Sequence, residues 1–425
     1  MIAWLLISFF VLLFLGVPIA MSLGLSAIGG ILFLGGGSTV TIAQRMFEGM
    51  NSFALLAIPL YTFAGFTMSK GGISKRLMDF CYSIVGHIYG GLAHVNVLSS
   101  MIFAGISGSA VADTAGVSGM FMPEMVRKGY SKKFTVAVTA ISSTIGIIIP
   151  PSIPMVVIAG ICGISTGKLF LGGIIPGVMC GLAQMIVSYF MAKKEGVPKE
   201  PGHFSIGPVL HGLWESWPAL LMPIIIVGTI TMGIVSPTEA GVIAVVYGLF
   251  AGGIIYRELK WEDIKFAFAE TVRTSGRIFI VIGAAKLYTV MLTTAGFDKW
   301  VANTMLGFTT NPTIILIMIL LIFFIVTMFM ESIATLTLFM PILYPIALGV
   351  GIDPIVLSVL ITVVIGVGLV TPPVGMCIYV ACDLMDIKVE DVFPTLLPFI
   401  GATFICIALM IAFPQLVLLP TYLMA

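Results

Sequence analysis

Charged residues are scarce in this sequence: only 9% of its 425 residues are Asp, Glu, Lys or Arg, while 59% are hydrophobic. A soluble domain normally carries about 25% charged residues, so this composition excludes a soluble domain of useful size. The 20 basic and 19 acidic residues nearly cancel, which provides no basic surface for nucleic acid. With a mean hydropathy of +1.16 and many apolar stretches of spanning length, the composition predicts an all-α polytopic protein of the lipid bilayer.

Histidine and cysteine are also few, with four and six residues. The histidines have no evident Ser or Cys partner at membrane depth, and neither residue type shows metal-ligand spacing, which disfavours an intramembrane enzyme. The cysteines lie mostly in apolar segments and are interpreted as small packing residues. The histidines are His87, His94, His203 and His211, and the cysteines are Cys81, Cys162, Cys180, Cys377, Cys382 and Cys406.

A group of acidic residues in the second half offers one enzymatic alternative, the magnesium-binding motif of an intramembrane transferase. A solvated loop explains them more simply, because the corresponding positions of the first half are apolar or basic. The acidic residues are Asp383, Asp386, Glu390 and Asp391, and their counterparts are Ile161, Ile164, Lys168 and Leu169.

The most informative feature that is present is an internal repeat, marked by two proline pairs within apolar runs. GIIIPPSIP begins at position 146 and GLVTPPVGM at position 368, so the two copies align at a sequence offset of 222. A Pro-Pro pair cannot continue a helix, because it removes backbone donors and forces the preceding residue out of the helical region. The sequence therefore predicts one broken helix in each half, over 134–165 and over 354–385. Paired broken helices in the two halves of a membrane protein indicate a transport site.

Each predicted broken helix follows a pair of short apolar segments. In the first half a Ser-Gly-Ser sequence at 107–109 separates them, and neither segment is comfortably long enough to cross a bilayer alone. We therefore predict a re-entrant helical hairpin over 91–123 and a second over 311–349.

The alignment of the two hairpins leaves two registers open. The offset of 222 pairs Ser109 with Glu331, whereas an offset of 218 pairs Asp113 with Glu331. In neither register does the second hairpin contain a counterpart of the Ser-Gly-Ser tip, so the two ion sites are not expected to be identical.

Loop charges set the predicted orientation. The positive-inside rule places four clusters of Lys and Arg in the cytoplasm. The hairpin at 91–123 then opens to the cytoplasm, whereas the hairpin at 311–349, flanked by loops without Lys or Arg, opens to the other side. The repeats are therefore predicted to be inverted, with ten full crossings and both termini outside. The clusters are Lys70/Lys75/Arg76, Arg127/Lys128/Lys132/Lys133, Lys193/Lys194/Lys199 and Arg257/Lys260/Lys265.

Two carboxylates at membrane depth are the strongest candidates for function, Asp113 in the first hairpin and Glu331 in the second. A charged side chain in the membrane is costly enough that a functional role is the default interpretation. The alternative is that both acids cap helices at the hairpin tips, where the helix dipole stabilises negative charge. Capping and ion binding are compatible.

At each proline pair, freed backbone carbonyls and nearby hydroxyls are candidate cation ligands. Ligand sets made only of oxygen suit a hard cation, so we expect Na⁺ as the coupling ion. The first predicted sodium site comprises Ser107, Gly108, Ser109, Asp113, Gly146, Pro150 and Pro151, and the second comprises Glu331, Ser332, Thr335, Gly366, Gly368, Thr371, Pro372, Pro373 and Met376. A substrate cavity is expected at Ser107, Ser109, Ser152, Ser332, Thr335 and Gly375. The glycines also have a plainer interpretation, close packing between helices.

Four segments in combination resemble a known family: SMIFAGISGSAVADTAG at 100–116, GIIIPPSIP at 146–154, MESIATLTLFMP at 330–341 and GLVTPPVGM at 368–376. They are similar to the large membrane subunit (DctM type, or M subunit) of tripartite ATP-independent periplasmic (TRAP) transporters, within the wider ion-transporter superfamily. The resemblance covers essentially the whole chain.

The resemblance implies an elevator-type secondary transporter of the bacterial inner membrane that uses a sodium gradient. It also implies two partners, a small four-helix Q-type membrane subunit and a periplasmic substrate-binding P subunit that captures an organic acid. Because no Q-like segment precedes Met1, Q is expected to be a separate chain.

The same resemblance divides the chain into a fixed scaffold and two transport repeats. The divisions are scaffold helices at 1–68, an interfacial arm at 69–90, the first transport repeat at 91–192, a cytoplasmic loop and scaffold helices at 193–273, scaffold and arm at 274–310, and the second transport repeat at 311–425, with its last span at 392–416.

A second hypothesis is an autonomous sodium/dicarboxylate or anion transporter of the same superfamily, which would work without P or Q. Selectivity is expected mainly in the P subunit, and a sialic acid or related sugar acid is preferred over a C4-dicarboxylate. Neither proline pair has a nearby Lys or Arg in the sequence. We therefore expect the substrate anion to be held by half-helix N-termini, hydroxyls and bound sodium.

Overall fold

The computed structural model describes residues 1–34, 39–197 and 205–424. Within these ranges all regular secondary structure is helical. Lys199 of the third predicted cytoplasmic cluster and His203 lie outside the described residues.

The first half of the chain builds one hairpin and one broken helix after a group of leading helices. The leading helices are α1 (Ile2–Phe14), α2 (Ile19–Leu34), α3 (Thr39–Met50), a 3₁₀ turn at Phe53–Leu56, α4 (Ala57–Lys70) and α5 (Ile73–Val85). The hairpin consists of α6 (Gly91–Ser107) and α7 (Ala110–Arg127). The broken helix consists of α8 (Lys132–Ser143), a 3₁₀ turn at Thr144–Ile147 and α9 (Ile153–Cys162), followed by the long α10 (Thr166–Lys194).

The second half repeats this order. Its leading helices are α11 (Ile206–Thr231), α12 (Pro237–Phe250) with a π-helical end at Ala251–Ile255, α13 (Trp261–Thr294) and α14 (Phe297–Phe308). The hairpin consists of α15 (Pro312–Thr327) and α16 (Ser332–Gly349), and the broken helix of α17 (Pro354–Gly368) and α18 (Met376–Met385). The chain then forms α19 (Val389–Ala412), α20 (Gln415–Leu418) and a 3₁₀ turn at Leu419–Met424.

Local caps explain where several helices begin. The side chains of Asn311 and Asp353 accept hydrogen bonds from backbone N–H groups of the first turns of α15 and α17. Ser236 forms a capping box with Glu239 at the start of α12. In all three cases proline follows the cap at the first helical position, where its missing N–H costs nothing.

The predicted hairpins and helix breaks are present, and the structure adds two features. The helices α11 and α13 run without a break from amphipathic N-terminal segments into their apolar spans. No proline or glycine interrupts α13 between residues 261 and 275, so its hydrogen-bond ladder continues. The helix α3 was not predicted, and it packs against α13.

Seven helical segments of the described chain are long and apolar enough to cross a membrane by length and composition. They are Phe53–Lys70, Thr166–Lys194, Ile206–Thr231, Pro237–Ile255, Trp261–Thr294, Ser332–Gly349 and Val389–Ala412, and shorter apolar helices accompany them. The chain is therefore a multi-pass membrane protein, while the number of ten crossings and the sidedness of the termini stay predictions.

Two apolar cores hold the helices together. The larger core contains residues of both hairpins and both broken helices. The smaller core packs α1, α2 and α13 against α16, through residues such as Leu5, Leu23 and Ala334. Within it the buried Tyr288 hydroxyl donates a hydrogen bond to the Leu5 carbonyl oxygen at 2.8 Å. The second hairpin therefore lies directly against α13, which forms one wall of a cavity described below.

Candidate ion and substrate site at the two helix breaks

The tip of the first hairpin lies between α6 and α7. Gly108 has a φ of +65°, a left-handed conformation that suits glycine and lets α7 start directly after α6. Ser109 then caps α7, because its hydroxyl oxygen accepts a hydrogen bond from the Ala112 N–H at 3.4 Å. The predicted tip residues therefore form a break between two helices.

Asp113 lies in the first turn of α7 and reaches back to this tip. The Ser107 hydroxyl donates a hydrogen bond to Asp113 Oδ1, whereas Oδ2 has no hydrogen-bond partner and the residue is only 2% exposed. Oδ2 faces the backbone of Gly146 on the first broken helix, since a Cβ at position 146 would overlap it. The structure thus brings Ser107, Asp113 and Gly146 together around one buried oxygen that no protein group satisfies.

The first proline pair contacts the same tip. The Pro150-Pro151 peptide bond is cis and both residues are buried. A Cβ on Gly108 would lie 2.7 Å from the Pro151 carbonyl oxygen, and the Ile153 N–H donates to the Gly108 carbonyl oxygen at 3.2 Å. The hairpin tip and the helix break are therefore in direct backbone contact, which requires the absence of a side chain at position 108.

Ser152, which was predicted to line the substrate cavity, bridges the two parts of the first broken helix. Its hydroxyl donates to the Ile147 carbonyl oxygen at 2.5 Å and accepts from the Met155 N–H at 3.3 Å. The residue is fully buried. Its hydroxyl therefore caps α9 in this structure, and contact with a substrate stays a prediction.

At the second hairpin tip Glu331 caps α16. Its Oε2 accepts hydrogen bonds from the N–H groups of Ile333 at 2.9 Å and Ala334 at 3.3 Å. Its Oε1 accepts from the Ser332 hydroxyl at 2.8 Å, and Thr335 donates to the Glu331 carbonyl oxygen at 3.1 Å. Both carboxylate oxygens therefore have partners, unlike those of Asp113.

The caps favour one of the two registers that the sequence left open. Glu331 occupies the N-cap position of α16, and Ser109 occupies the N-cap position of α7. Pairing positions 109 and 331 corresponds to the offset of 222, the same offset that relates the two proline pairs. Asp113 lies one turn further into α7, so Glu331 does not occupy the equivalent position of α16.

The second proline pair has the same bond geometry in a different environment. The Pro372-Pro373 bond is also cis, and the Val374 N–H donates to the Met328 carbonyl oxygen at 3.0 Å, which joins this break to the second hairpin. Pro373 is exposed, and Val374 is 42% exposed. The second break therefore lies at the protein surface, whereas the first is enclosed.

The remaining predicted ligands of the second site shape this break. The buried Thr371 hydroxyl donates to the Val367 carbonyl oxygen at 2.7 Å. Gly375 has a φ of +45° and caps α18, which begins at Met376. Gly368 packs against Thr327 of the second hairpin, since a Cβ there would lie 2.7 Å from the Thr327 Cβ.

Gly366, which was predicted for the second site, instead faces the first broken helix. A Cβ on Gly366 would lie 3.2 Å from the Thr144 Cβ and 3.5 Å from the Thr144 carbonyl oxygen. The close approach of α17 to the 3₁₀ turn at Thr144–Ile147 places the two broken helices side by side.

Helix α18 brings the second break beside the first hairpin. The helix α18 packs against α7 of the first hairpin and against α8 of the first broken helix. Cys377, in the first turn of α18, is fully buried. The second break therefore lies next to the first hairpin, although the two are far apart in the sequence.

A buried polar network supports the first break, and three of its members, Asn96, Ser100 and Thr139, were not predicted as site residues. Asn96 Nδ2 donates to Thr139 Oγ1 at 2.7 Å, and Asn96 Oδ1 accepts from Ser142 Oγ at 3.0 Å. Ser100 donates to Ser142 Oγ at 3.1 Å. All four residues are fully buried. Their spacing was the available signal, because Asn96 and Ser100 are four residues apart on α6 and share one face.

Four helices begin at the tips and breaks, namely α7, α9, α16 and α18. Helix N-termini carry partial positive charge and suit anionic groups, while freed carbonyls suit cations. Within the described ranges, no group of three or more His, Cys, Asp or Glu side chains is arranged to hold a metal ion. The site is therefore suited to a hard cation held by a few oxygens and to a small anion.

Comparison with known proteins agrees with this architecture. The family described as "Tripartite ATP-independent periplasmic transporter, DctM component" matches residues 6–416. A crystal structure of the YdaH transporter from Alcanivorax borkumensis superimposes with a TM-score of 0.63 over 90% of this chain and 89% of that chain. Its sequence identity of 12% makes this a similarity of fold.

Curated relatives are closer in sequence. The isethionate TRAP transporter permease protein DctMQ of Oleidesulfovibrio alaskensis is 38% identical over 92% of this chain, which spans 62% of that protein. The sialic acid TRAP transporter large permease protein SiaM of Vibrio cholerae is 35% identical over 96% of this chain and 95% of SiaM. The C4-dicarboxylate TRAP transporter large permease protein DctM of the same organism is 33% identical over 97% of this chain and 96% of that protein.

These relatives are permeases, in agreement with a transport role and against an enzymatic one. The family match extends over nearly the whole chain and includes both hairpins and both proline-pair breaks. The chain therefore belongs to the DctM family, the large membrane component of tripartite ATP-independent periplasmic transporters.

Proposed function

We propose that this protein imports an organic acid anion by coupling its movement to sodium ions. The observation that carries the proposal is the buried Asp113 Oδ2, which has no protein partner and faces Gly146. A buried acceptor left unsatisfied costs about 1–3 kcal/mol, so a bound cation at this point would be stabilising. Oxygen ligands favour Na⁺ over transition metals.

The substrate class follows from chemistry that the relatives have in common. Their names specify isethionate, sialic acid and C4-dicarboxylates, which all carry a sulfonate or carboxylate group. The identities of 38%, 35% and 33% are too similar to choose among these acids. We propose an organic acid anion, with a sialic acid or related sugar acid as one member of the class.

We further propose an elevator mechanism with inverted repeats. Both hairpins and both broken helices would move as a unit that carries the ions and the substrate. The helices α1–α4 and α11–α13 would stay fixed against a small Q-type membrane subunit, and a periplasmic P subunit would deliver the acid. The protein would lie in the bacterial inner membrane with both termini in the periplasm.

Reconstitution into proteoliposomes with its P and Q partners tests the coupling. Isethionate, sialic acid and succinate serve as labelled probes. We expect uptake of at least one probe to require an inward sodium gradient, with a Hill coefficient for sodium above one. Equal uptake after replacement of sodium by choline would contradict the proposal. Uptake by the chain without P and Q would instead support an autonomous transporter.

A further inference from the structure

A cavity of about 200 Å³ lies apart from the two breaks, between α3, α9, α13 and α16. The helices α9 and α16 belong to the first broken helix and the second hairpin, which are proposed to move. The helices α3 and α13 belong to the proposed scaffold. The polar lining residues are Glu48, Ser52, Lys286 and Thr337.

Lys286 lies in the middle of the apolar part of α13. From residue 278 to the helix end at Thr294, it is the single charged residue. Its neighbours Ala285 and Leu287 are fully buried, while Lys286 itself is partly buried. A charged side chain near the middle of a membrane span marks a functional site by default, because burying it otherwise costs several kcal/mol.

Lys286 forms no direct ion pair in the described part of the chain, although Glu48 is close enough to attract it electrostatically. No described carboxylate forms an ion pair with it within 4.0 Å. The nearby acid on the cavity wall, Glu48, is paired with Arg45 at 2.7 Å. Arg45 and Lys286 therefore share the single negative charge of Glu48, and the net charge of these three groups is positive.

The walls of the cavity position this charge. A Cβ on Gly49 would lie 2.6 Å from the Lys286 Cβ, so α3 packs closely against the base of the lysine side chain. On the α9 wall, a Cβ on Gly160 would meet only the Ala54 Cβ at 3.8 Å and the Ser52 Oγ at 3.9 Å, so the space beside this residue is not tightly filled. The Thr337 hydroxyl already donates to the Ile333 carbonyl oxygen at 2.8 Å.

We infer that this cavity is a second anion site, in which Lys286 binds the carboxylate or sulfonate group of the transported acid. This inference rests on the function proposed above and adds a cation where the sequence suggested only helix N-termini, hydroxyls and sodium. Typical ligand pockets enclose about 300–1,000 Å³. The smaller volume here suits the charged group and a short chain.

The position of the site explains its use in transport. An anion that crosses the bilayer interior loses its hydration, and a fixed cation near the middle of the span compensates for part of that loss. Lys286 lies on the proposed scaffold, while Gly160 and Thr337 lie on the proposed moving unit. The substrate anion would therefore meet this cation when the moving unit brings α9 and α16 against α3 and α13, so Lys286 would assist the anion at that stage of the movement.

The inference is tested by substituting Lys286 and measuring the KM for uptake of the acid. We expect Lys286→Met to raise the KM at least about tenfold, because a charge-assisted contact is lost. Lys286→Arg should keep the KM within about threefold, since its charge is retained. The matched control is Lys299→Met on the surface of α14, where an exposed lysine should have no effect.

Chemical rescue separates charge from packing. In Lys286→Cys, 2-aminoethyl methanethiosulfonate restores a lysine-like ammonium group and should lower the KM again. Methyl methanethiosulfonate adds bulk without charge and should not. The same reagents on the wild-type protein control for its six native cysteines. Rescue within one folded preparation keeps the test valid even if the unmodified variant is less stable.

An unchanged KM in Lys286→Met, or equal rescue by both reagents, would overturn the anion site. A failure of the proposed function looks different, because it would appear as sodium-independent uptake by the wild-type protein. The KM comparison still decides the role of Lys286 in that case, since it requires uptake but not sodium coupling.

Discussion

The two helix breaks share a sequence pattern and a cis proline bond but differ in their surroundings. The first break is buried, and beside it Asp113 keeps one carboxylate oxygen without a partner. The second break exposes Pro373 and Val374, and beside it the Glu331 carboxylate is fully used in capping α16. An internal repeat can therefore preserve a backbone break while only one copy retains an unsatisfied acid.

The side-chain contacts that stabilise the two breaks also differ between the two halves. In the first half the hairpin and the broken helix are joined by hydrogen bonds among Asn96, Ser100, Thr139 and Ser142. In the register that aligns the two proline pairs, the second half has Met318, Ile322, Ile361 and Val364 at these positions. In the second half, apolar packing therefore replaces the polar network. Because hydrogen bonds are directional, the polar network holds the first break in a more defined geometry.

The largest expected difference between the halves concerns the two acids. We expect Asp113→Asn to reduce sodium-dependent uptake about 100-fold, because a buried cation loses its charged ligand. Glu331→Gln should reduce uptake less than about tenfold, because its amide oxygen can still accept from the backbone N–H groups of α16. Initial rates of uptake into proteoliposomes over a range of sodium concentrations measure the loss in each of the two variants.

Equal losses in the two variants would show that both acids bind ions despite their different partners. Normal uptake by Asp113→Asn would remove Asp113 from the proposed sodium site. Thermal unfolding in detergent serves as the control for folding in both variants.

Two glycines at the first broken helix provide the next comparison, Gly146 within it and Gly366 facing it from α17. In Gly146→Ala the new methyl group overlaps Asp113 Oδ2, so we expect a destabilisation of about 1–3 kcal/mol and loss of uptake. In Gly366→Ala the methyl group would lie 3.2 Å from the Thr144 Cβ, which a small shift relieves, and we expect about 1 kcal/mol or less. Denaturant titration and uptake assays measure the two effects. A Gly366→Ala variant as impaired as Gly146→Ala would mean that general helix packing explains both glycines.

The smallest expected effect tests the supporting network. Asn96→Leu removes the amide that joins α6 to α8 and leaves buried hydroxyls with fewer partners, at a cost of about 1–2 kcal/mol. Met318→Leu, at the corresponding position of the second half, conserves volume and should cost less than about 1 kcal/mol. The free energies of unfolding of both variants are compared in one detergent. If Asn96→Leu is as stable as Met318→Leu, the network does not stabilise the first half.

Much of the fold was predictable because its signals are local. Apolar length predicted the spans, and proline pairs predicted the breaks before α9 and α18. The Ser-Gly-Ser tip and the capping acid Glu331 were likewise recognised from short stretches of sequence. The family resemblance was confirmed by the match over residues 6–416.

The parts of the site that were missed depend on residues distant in sequence. Lys286 stands out in the sequence as the single charge of an apolar span, but nothing in the sequence places a cavity beside it. Its cavity exists only because α3 and α9 meet α13 and α16. The contact of Gly366 with Thr144 could not be predicted for the same reason, since Thr144 belongs to the other half of the chain.

The sequence by itself determined the class of protein, the helix order, the breaks and the candidate acids, because hydropathy and proline stereochemistry act within one segment. The tertiary structure alone decided which acid is left without a partner and where a lysine meets a cavity. Hydrogen bonds and ion pairs depend on distances of a few ångströms between helices. Those distances are set only when the whole bundle packs.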